Sequence, residues 1–252
     1  MRRRYGVWRG LGHLFLGAWA LAATMSAAAP GATMSAAAPG ATMSAAAPGA
    51  TMSAAAPATR LVLAFGDSLT AGYQLPPGDG FAPQLEAALR AKGIAATVHN
   101  AGVSGDTTAQ GRARLAWVLT GLKAKPDLMI VELGANDMLR GQPVGTAKAN
   151  LDAILSELDR RHIRVLLAGM RASPNLGRGY AADFDAMFPA LAKAHGAALY
   201  PFFMAGVVGV TGMQLGDGLH PTRAGVAVIV RGIAPQVAAA LTPHGSGVAA
   251  RK

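Results

Sequence analysis

The chain has 252 residues, 52% of them hydrophobic and 14% charged, with a formal net charge of +10 and no cysteine. That length and apolar content suffice for one domain with a sizeable core, and the absent thiols exclude disulfides, thiolate metal sites, a cysteine nucleophile and an acyl-cysteine anchor. Arg2, Arg3, Arg4 and Arg9 hold part of the positive charge, and the rest is scattered with no run in the body longer than Arg160-Arg161, so there is no basic stripe for nucleic acid.

Residues 1–29 read as a signal peptide. Arginines come first, Leu11 to Ala23 is largely apolar, and Ala20-Leu21-Ala22 fits a small-x-small cleavage site. The apolar stretch is too short to span a bilayer comfortably, so a periplasmic or secreted protein without a stable membrane anchor is expected. Residues 30–59 are a low-complexity linker. The unit Ala-Thr-Met-Ser-Ala-Ala-Ala-Pro-Gly recurs with prolines at Pro30, Pro39, Pro48 and Pro57, too short a period for a solenoid module and too proline-rich for a helix. It is either a spacer or a tandem duplication without function. The folded domain is expected over residues 60–241, with a flexible tail at 242–252.

The domain opens on Leu61-Val62-Leu63-Ala64-Phe65, with the length and texture of a buried strand. The pattern breaks at Gly66-Asp67-Ser68, where glycine permits a tight turn and the serine falls just beyond the strand's carboxyl end. Phe81, Leu85 and Leu89 then repeat at helical spacing up to Gly93. Ile94 to Val98 is a second strand, and Thr107 to Leu122 a helix despite Gly111. Leu128 to Leu133 is a third strand, apolar except for Glu132. Leu151, Ile154, Leu155 and Leu158 mark an amphipathic helix. Ile163 to Ala168 is a fourth strand, Tyr180 to Ala194 a helix kinked or restarted at Pro189, Ala197 to Phe203 holds a fifth strand, and Thr222 to Leu241 is the last helix, with Pro235 near its end. Such alternation specifies an α/β domain with a parallel sheet covered on both faces.

Three further stretches complete a constellation. Asn100-Ala101-Gly102-Val103-Ser104-Gly105 follows the second strand, Gly134-Ala135-Asn136-Asp137 the third, and Asp217-Gly218-Leu219-His220-Pro221 precedes the last helix. Parallel strands place their carboxyl ends on one edge, so the first two stretches should lie beside Ser68. A serine nucleophile needs a base, an orienting carboxylate and oxyanion donors. Asp217 stands three residues before His220, close enough for one turn to deliver both. Taken singly, each residue has a plain alternative: Asn136-Asp137 as a turn or N-cap, Gly102 as a loop glycine, His220 as a surface histidine. His13, His99, His162, His195 and His244 read as structural or solvated, and Asp67 as a brace for the turn at Ser68.

In order and spacing, the four stretches resemble the blocks of the SGNH hydrolase family, also called GDSL esterases. Gly-Asp-Ser at 66–68 matches the serine block, Gly102 the glycine block, Gly134-x-Asn136-Asp137 the asparagine block, and Asp217-x-x-His220-Pro the acid–histidine block. Gly134 to Gly141 and Pro201-Phe-Phe-Met204 further resemble the bacterial secreted subgroup of thioesterase I, lysophospholipase L1 and arylesterases; Met138 departs from it, standing where a glycine is expected. The resemblance implies a three-layer α/β/α, flavodoxin-like fold with a central, mostly parallel five-stranded sheet. It implies Ser68 as nucleophile, His220 as base and Asp217 as its carboxylate, with oxyanion donors from the backbone N–H of Ser68 and of Gly102 and the side-chain amide of Asn136. The expected activity is hydrolysis of carboxylic esters and acyl thioesters by a monomer on small acyl substrates, lipids among them, without cofactor or metal. A carbohydrate O-acetyl esterase and a non-catalytic binding domain on the same fold are the alternatives. The loops beyond the strands carry Leu75, Leu139 and Leu176, which are expected to line an apolar substrate groove.

Overall fold

The strand β1 (Arg60–Gly66) lies between two parallel partners in the computed structural model, which describes residues 59–242. The expected leader and most of the repeat linker and of the tail lie outside the described residues. Four more strands follow, β2 (Ala96–Gly102), β3 (Leu128–Glu132), β4 (Val165–Ala168) and β5 (Ala198–Tyr200). They form one five-stranded sheet in the order β2-β1-β3-β4-β5, and each neighbouring pair is parallel. Val62 to Phe65 and the whole of β3 are buried, as expected for strands covered on both faces.

Among the described residues seven α-helices lie between and after the strands: α1 (Ser68–Ala71), α2 (Phe81–Ala91), α3 (Thr108–Gly121), α4 (Ala135–Leu139), α5 (Val144–Arg160), α6 (Arg178–Ala194) and α7 (Arg223–Leu241). One face of the sheet carries α2 against α7, and the other carries α3, α5 and α6. The helical pattern in α5 buries Leu151, Ile154, Leu155 and Leu158, each contributing about 1.5–3 kcal/mol of transfer free energy. A capping box between Thr107 and Gln110 starts α3. By composition α7 could cross a membrane, but Val226, Ile229, Val230, Ile233 and Val237 bury its apolar face in the domain core.

The strand order decides where a site can form. From β1 the chain runs outward to β2, then returns to β3 on the other side of β1. The connections after β1 and β3 therefore part, leaving a crevice at the carboxyl ends of these two strands. Both Ser68 and Asn136 follow those ends.

Three expectations shift. Ile94 does not begin β2, because its N–H closes the end of α2 on Leu89 O at 3.0 Å, past Gly93 at φ 75°. β2 instead runs on through Gly102, which pairs with Gly66. α6 continues through Pro189 as one helix, since burial of Phe184, Met187, Phe188 and Leu191 on one face outweighs the lost N–H. β5 stops at Tyr200 because Pro201 has no N–H to give to the ladder.

His195 caps α6 and fastens it to α5. Its Nδ1 meets Asp159 Oδ2 at 2.6 Å and its Nε2 meets Asp152 Oδ1 at 3.0 Å. Burial disfavours its charge, but the two carboxylates outweigh burial and raise its pKa above 6.5. The raised value means that this link stabilises the fold fully below the unfolded-state pKa and is lost as pH rises through the folded-state one. His195→Asn should therefore melt about 2 °C or more below wild type near pH 5.5, with the gap closing near pH 9, in paired thermal melts. A gap independent of pH would remove the charged link.

Candidate active site

Ser68 is the first residue of α1, a four-residue helix set at the carboxyl end of β1. Asp67 caps it by accepting the Leu69 N–H at 3.0 Å, and Gly72 ends it in the left-handed region at φ 82°. The glycine before this turn is required for space. A Cβ on Gly66 would lie 2.6 Å from Glu132 Oε2 and closer still to Thr70 Oγ1. From the far end of the domain, the loop before α7 brings His220 Nε2 to 2.8 Å from Ser68 Oγ. Asp217 Oδ2 meets His220 Nδ1 at 2.7 Å. Its other oxygen accepts the backbone N–H groups of Leu219, at 2.9 Å, and His220, at 3.0 Å. The His220 and Leu219 backbone donors, then the imidazole, hold the Asp217 carboxyl down at about 2. An ionised carboxylate is thereby kept on Nδ1, leaving Nε2 to accept the serine proton.

The three groups expected as oxyanion donors divide. Asn136, in α4, donates to Asp67 Oδ2 at 3.1 Å and keeps its second amide N–H. The Ser68 N–H has no partner among the described residues. Gly102 does not fit the role expected of it. It ends β2, its N–H is taken by Asn100 Oδ1 at 2.9 Å, and it lies outside the cavity that holds Ser68. Gly102 serves packing instead, for a Cβ there would lie 2.9 Å from the Asp67 carbonyl and closer still to the backbone of Ala71. Gly105 does line the cavity. It sits at φ 87° in a turn closed by the Asp106 N–H on Val103 O at 3.1 Å, with its carbonyl held by Arg140 at 2.8 Å. The Gly105 N–H has no partner among the described residues.

The profile of the GDSL-like Lipase/Acylhydrolase family matches residues 64–228. The chain belongs to this family. It is 38% identical over 167 residues to esterase TesA of Pseudomonas aeruginosa, covering 66% of this chain and 82% of that protein. It is 37% identical over 166 residues to thioesterase 1/protease 1/lysophospholipase L1 of Escherichia coli, covering 66% of this chain and 77% of that one. Among solved structures, AlinE4, an SGNH-hydrolase family esterase, is 49% identical with a TM-score of 0.63, over 73% of this chain and 98% of that chain.

In this GDSL-family chain the cavity at Ser68 measures about 550 Å³. Leu139 lines it, as expected, but Leu75 and Leu176 do not; both pack against the core from outside the cavity. Alternation and loop composition could not separate a leucine facing substrate from one facing the core. The apolar lining comes instead from Met138, Met170, Phe202, Met204, Val208 and Leu219. Tyr73 was also missed; its ring lies 4.5 Å from the imidazole of His220. A second cavity of about 730 Å³, at the amino ends of β4 and β5, holds no nucleophile–base pair. Among the described residues no cluster of His, Cys, Asp or Glu could hold a metal ion.

Asp217→Asn keeps an oxygen for the two backbone donors but turns an amide NH₂ toward Nδ1, which favours the wrong imidazole tautomer. Its kcat on a p-nitrophenyl ester should fall by about a hundredfold or more, with little change in Tm. A fall of less than about fivefold would remove Asp217 from the relay.

Proposed function

We propose that this GDSL-family esterase cleaves carboxylic esters and acyl thioesters through an acyl-enzyme on Ser68. The observation that carries the reading is the unbroken Ser68–His220–Asp217 relay, with 2.8 and 2.7 Å steps, at an apolar cavity. Ser68 Oγ attacks the acyl carbonyl while His220 Nε2 takes its proton. The carbonyl oxygen becomes an oxyanion facing the N–H groups of Ser68 and Gly105 and the free amide N–H of Asn136. Collapse expels the alcohol or thiol, which leaves with the proton from His220. Water then attacks the acyl-serine by the same base, and the carboxylic acid departs.

The cavity wall favours a substrate with an acyl chain. Met138, Met170 and Met204 are unbranched and polarizable, so they adapt to chains of different length. Met138 thus finds a use where the subgroup pattern leads one to expect glycine. The names of the relatives, esterase, thioesterase and lysophospholipase, agree with small acyl substrates and lipid among them. The signal-peptide reading of residues 1–29 supports a periplasmic or secreted location.

Each methylene buried in the cavity contributes about 0.8 kcal/mol, close to fourfold, until the cavity is full. The kcat/KM on p-nitrophenyl esters should therefore climb from acetyl toward medium-length chains of roughly six to ten carbons, and acyl thioesters should be cleaved too. Ser68→Ala should lower kcat by several powers of ten on all of them. A steep preference for acetate, with activity on O-acetylated glycans, would identify a carbohydrate esterase instead. Undiminished turnover by the Ser68→Ala protein would reject the acyl-enzyme.

A further inference from the structure

Glu132 interrupts an otherwise apolar strand and is fully buried at the end of β3. A carboxylate in that position is costly unless paired and fully hydrogen-bonded. The Thr70 hydroxyl donates to its Oε2 at 2.7 Å, and the backbone N–H groups of Asp67 and Thr70 face the carboxyl. Its Oε1 has no hydrogen-bond partner among the described residues. The nearby cation is Arg114, whose guanidinium is engaged by Asp106 at 2.5 Å, Ala101 O at 2.8 Å and Gly66 O at 2.9 Å. None of these bonds reaches Glu132.

The charged group that acts on Glu132 is another buried carboxyl, Asp67. Two carboxyls side by side in a dry site do not both ionise readily. Asp67 suits the ionised form, because its two oxygens accept the Leu69 N–H and the Asn136 amide. His220 favours that charge and Asp106 opposes it. Glu132, with one oxygen unserved, suits the protonated form. Both carboxyls grip the same short helix, Asp67 at its cap and Glu132 through Thr70, and Ser68 lies between those two holds.

We propose that Glu132 is a positioning residue, a neutral carboxylic acid that fixes the Ser68-bearing turn against the end of β3. The catalytic part of this inference rests on the hydrolase reading above. Burial first, and the neighbouring Asp67 second, push the Glu132 carboxyl well above the usual glutamate range. Burial likewise pushes Asp67 up to about 6. A buried acid kept neutral at working pH so that it can hold a hydrogen bond has precedent in enzyme sites. The sign of the stability effect follows. A carboxyl raised on folding stabilises the fold below its unfolded-state pKa, and that contribution is lost as pH rises toward its folded-state value. Glutamine has the same shape and never ionises, so it escapes the loss.

The experiment compares full-length wild type, Glu132→Gln, Glu132→Ala and Ser68→Ala. Glu132→Gln should keep kcat within about threefold of wild type at neutral pH, while its Tm gains on wild type as pH rises from about 5 toward the folded-state pKa of Glu132. Glu132→Ala should lose about tenfold or more in kcat with KM within about twofold. A Tm difference that is flat across the pH range means that Glu132 is ionised and overturns the proposal. So does a Glu132→Gln protein that has lost kcat, since charge would then be required, and so does a Glu132→Ala protein that retains it. Should Glu132→Ala fail to fold, the glutamine variant decides alone. Ser68→Ala separates the two claims: if it still turns over substrate, the hydrolase reading fails while the Tm series continues to report the proton on Glu132.

Discussion

The site depends on how closely one turn of helix sits against the ends of three strands. α1 is wedged between Gly66 of β1, Gly102 of β2 and Glu132 of β3, and the places where Cβ atoms would stand on both glycines are filled by other groups. Protein interiors transmit such displacements because they are close-packed. A methyl group at either glycine would move the turn and Ser68 with it. These glycines are needed for space; neither has the left-handed backbone that makes glycine the default at Gly72, Gly105 and Gly134. Gly134 has that second role, opening α4 at φ 116° and so presenting Asn136.

Three carboxyls act here in three environments. Asp217 is largely exposed and held down by backbone donors, so it is a charge that stays on through the working pH range. Asp67 is buried and raised, yet keeps two N–H donors. Glu132 is as fully buried but lacks a full donor set. The same functional group thus orients a base, aligns an amide or anchors a turn according to its access to water and to donors.

Rigid and adaptable parts are also separated. Ser68 and Asn136 lie on short helices at the carboxyl edge of the sheet, close to its buried core. Beyond α1 and α4 the cavity wall comes from loop residues and methionines, and Leu139, Val208 and Leu219 are largely exposed. Fixed donors suit a reaction whose charge develops at one oxygen, and a soft wall suits substrates that differ in their apolar part.

The amino-acid sequence by itself determined the alternation of strand and helix, the helical face of Leu151, Ile154, Leu155 and Leu158, and the four short stretches that carry Ser68, Asn136, Asp217 and His220. Those are local patterns, read from periodicity and from glycine, proline and polar residues at strand ends. Only the tertiary structure decided which glycine lines the cavity. Gly102 and Gly105 stand three residues apart in one stretch, and their roles separate only because β2 runs on to pair Gly66 with Gly102, leaving Gly105 to the turn beyond. It also decided that Leu75 and Leu176 pack on the core, and that Tyr73 and Glu132 stand at the Ser68–His220–Asp217 relay or beneath it. Glu132 shows the reason most plainly. In the sequence it is one acid in an apolar strand; its meaning comes from Thr70 and Asp67, more than sixty residues earlier, brought against it by the pairing of β1 with β3.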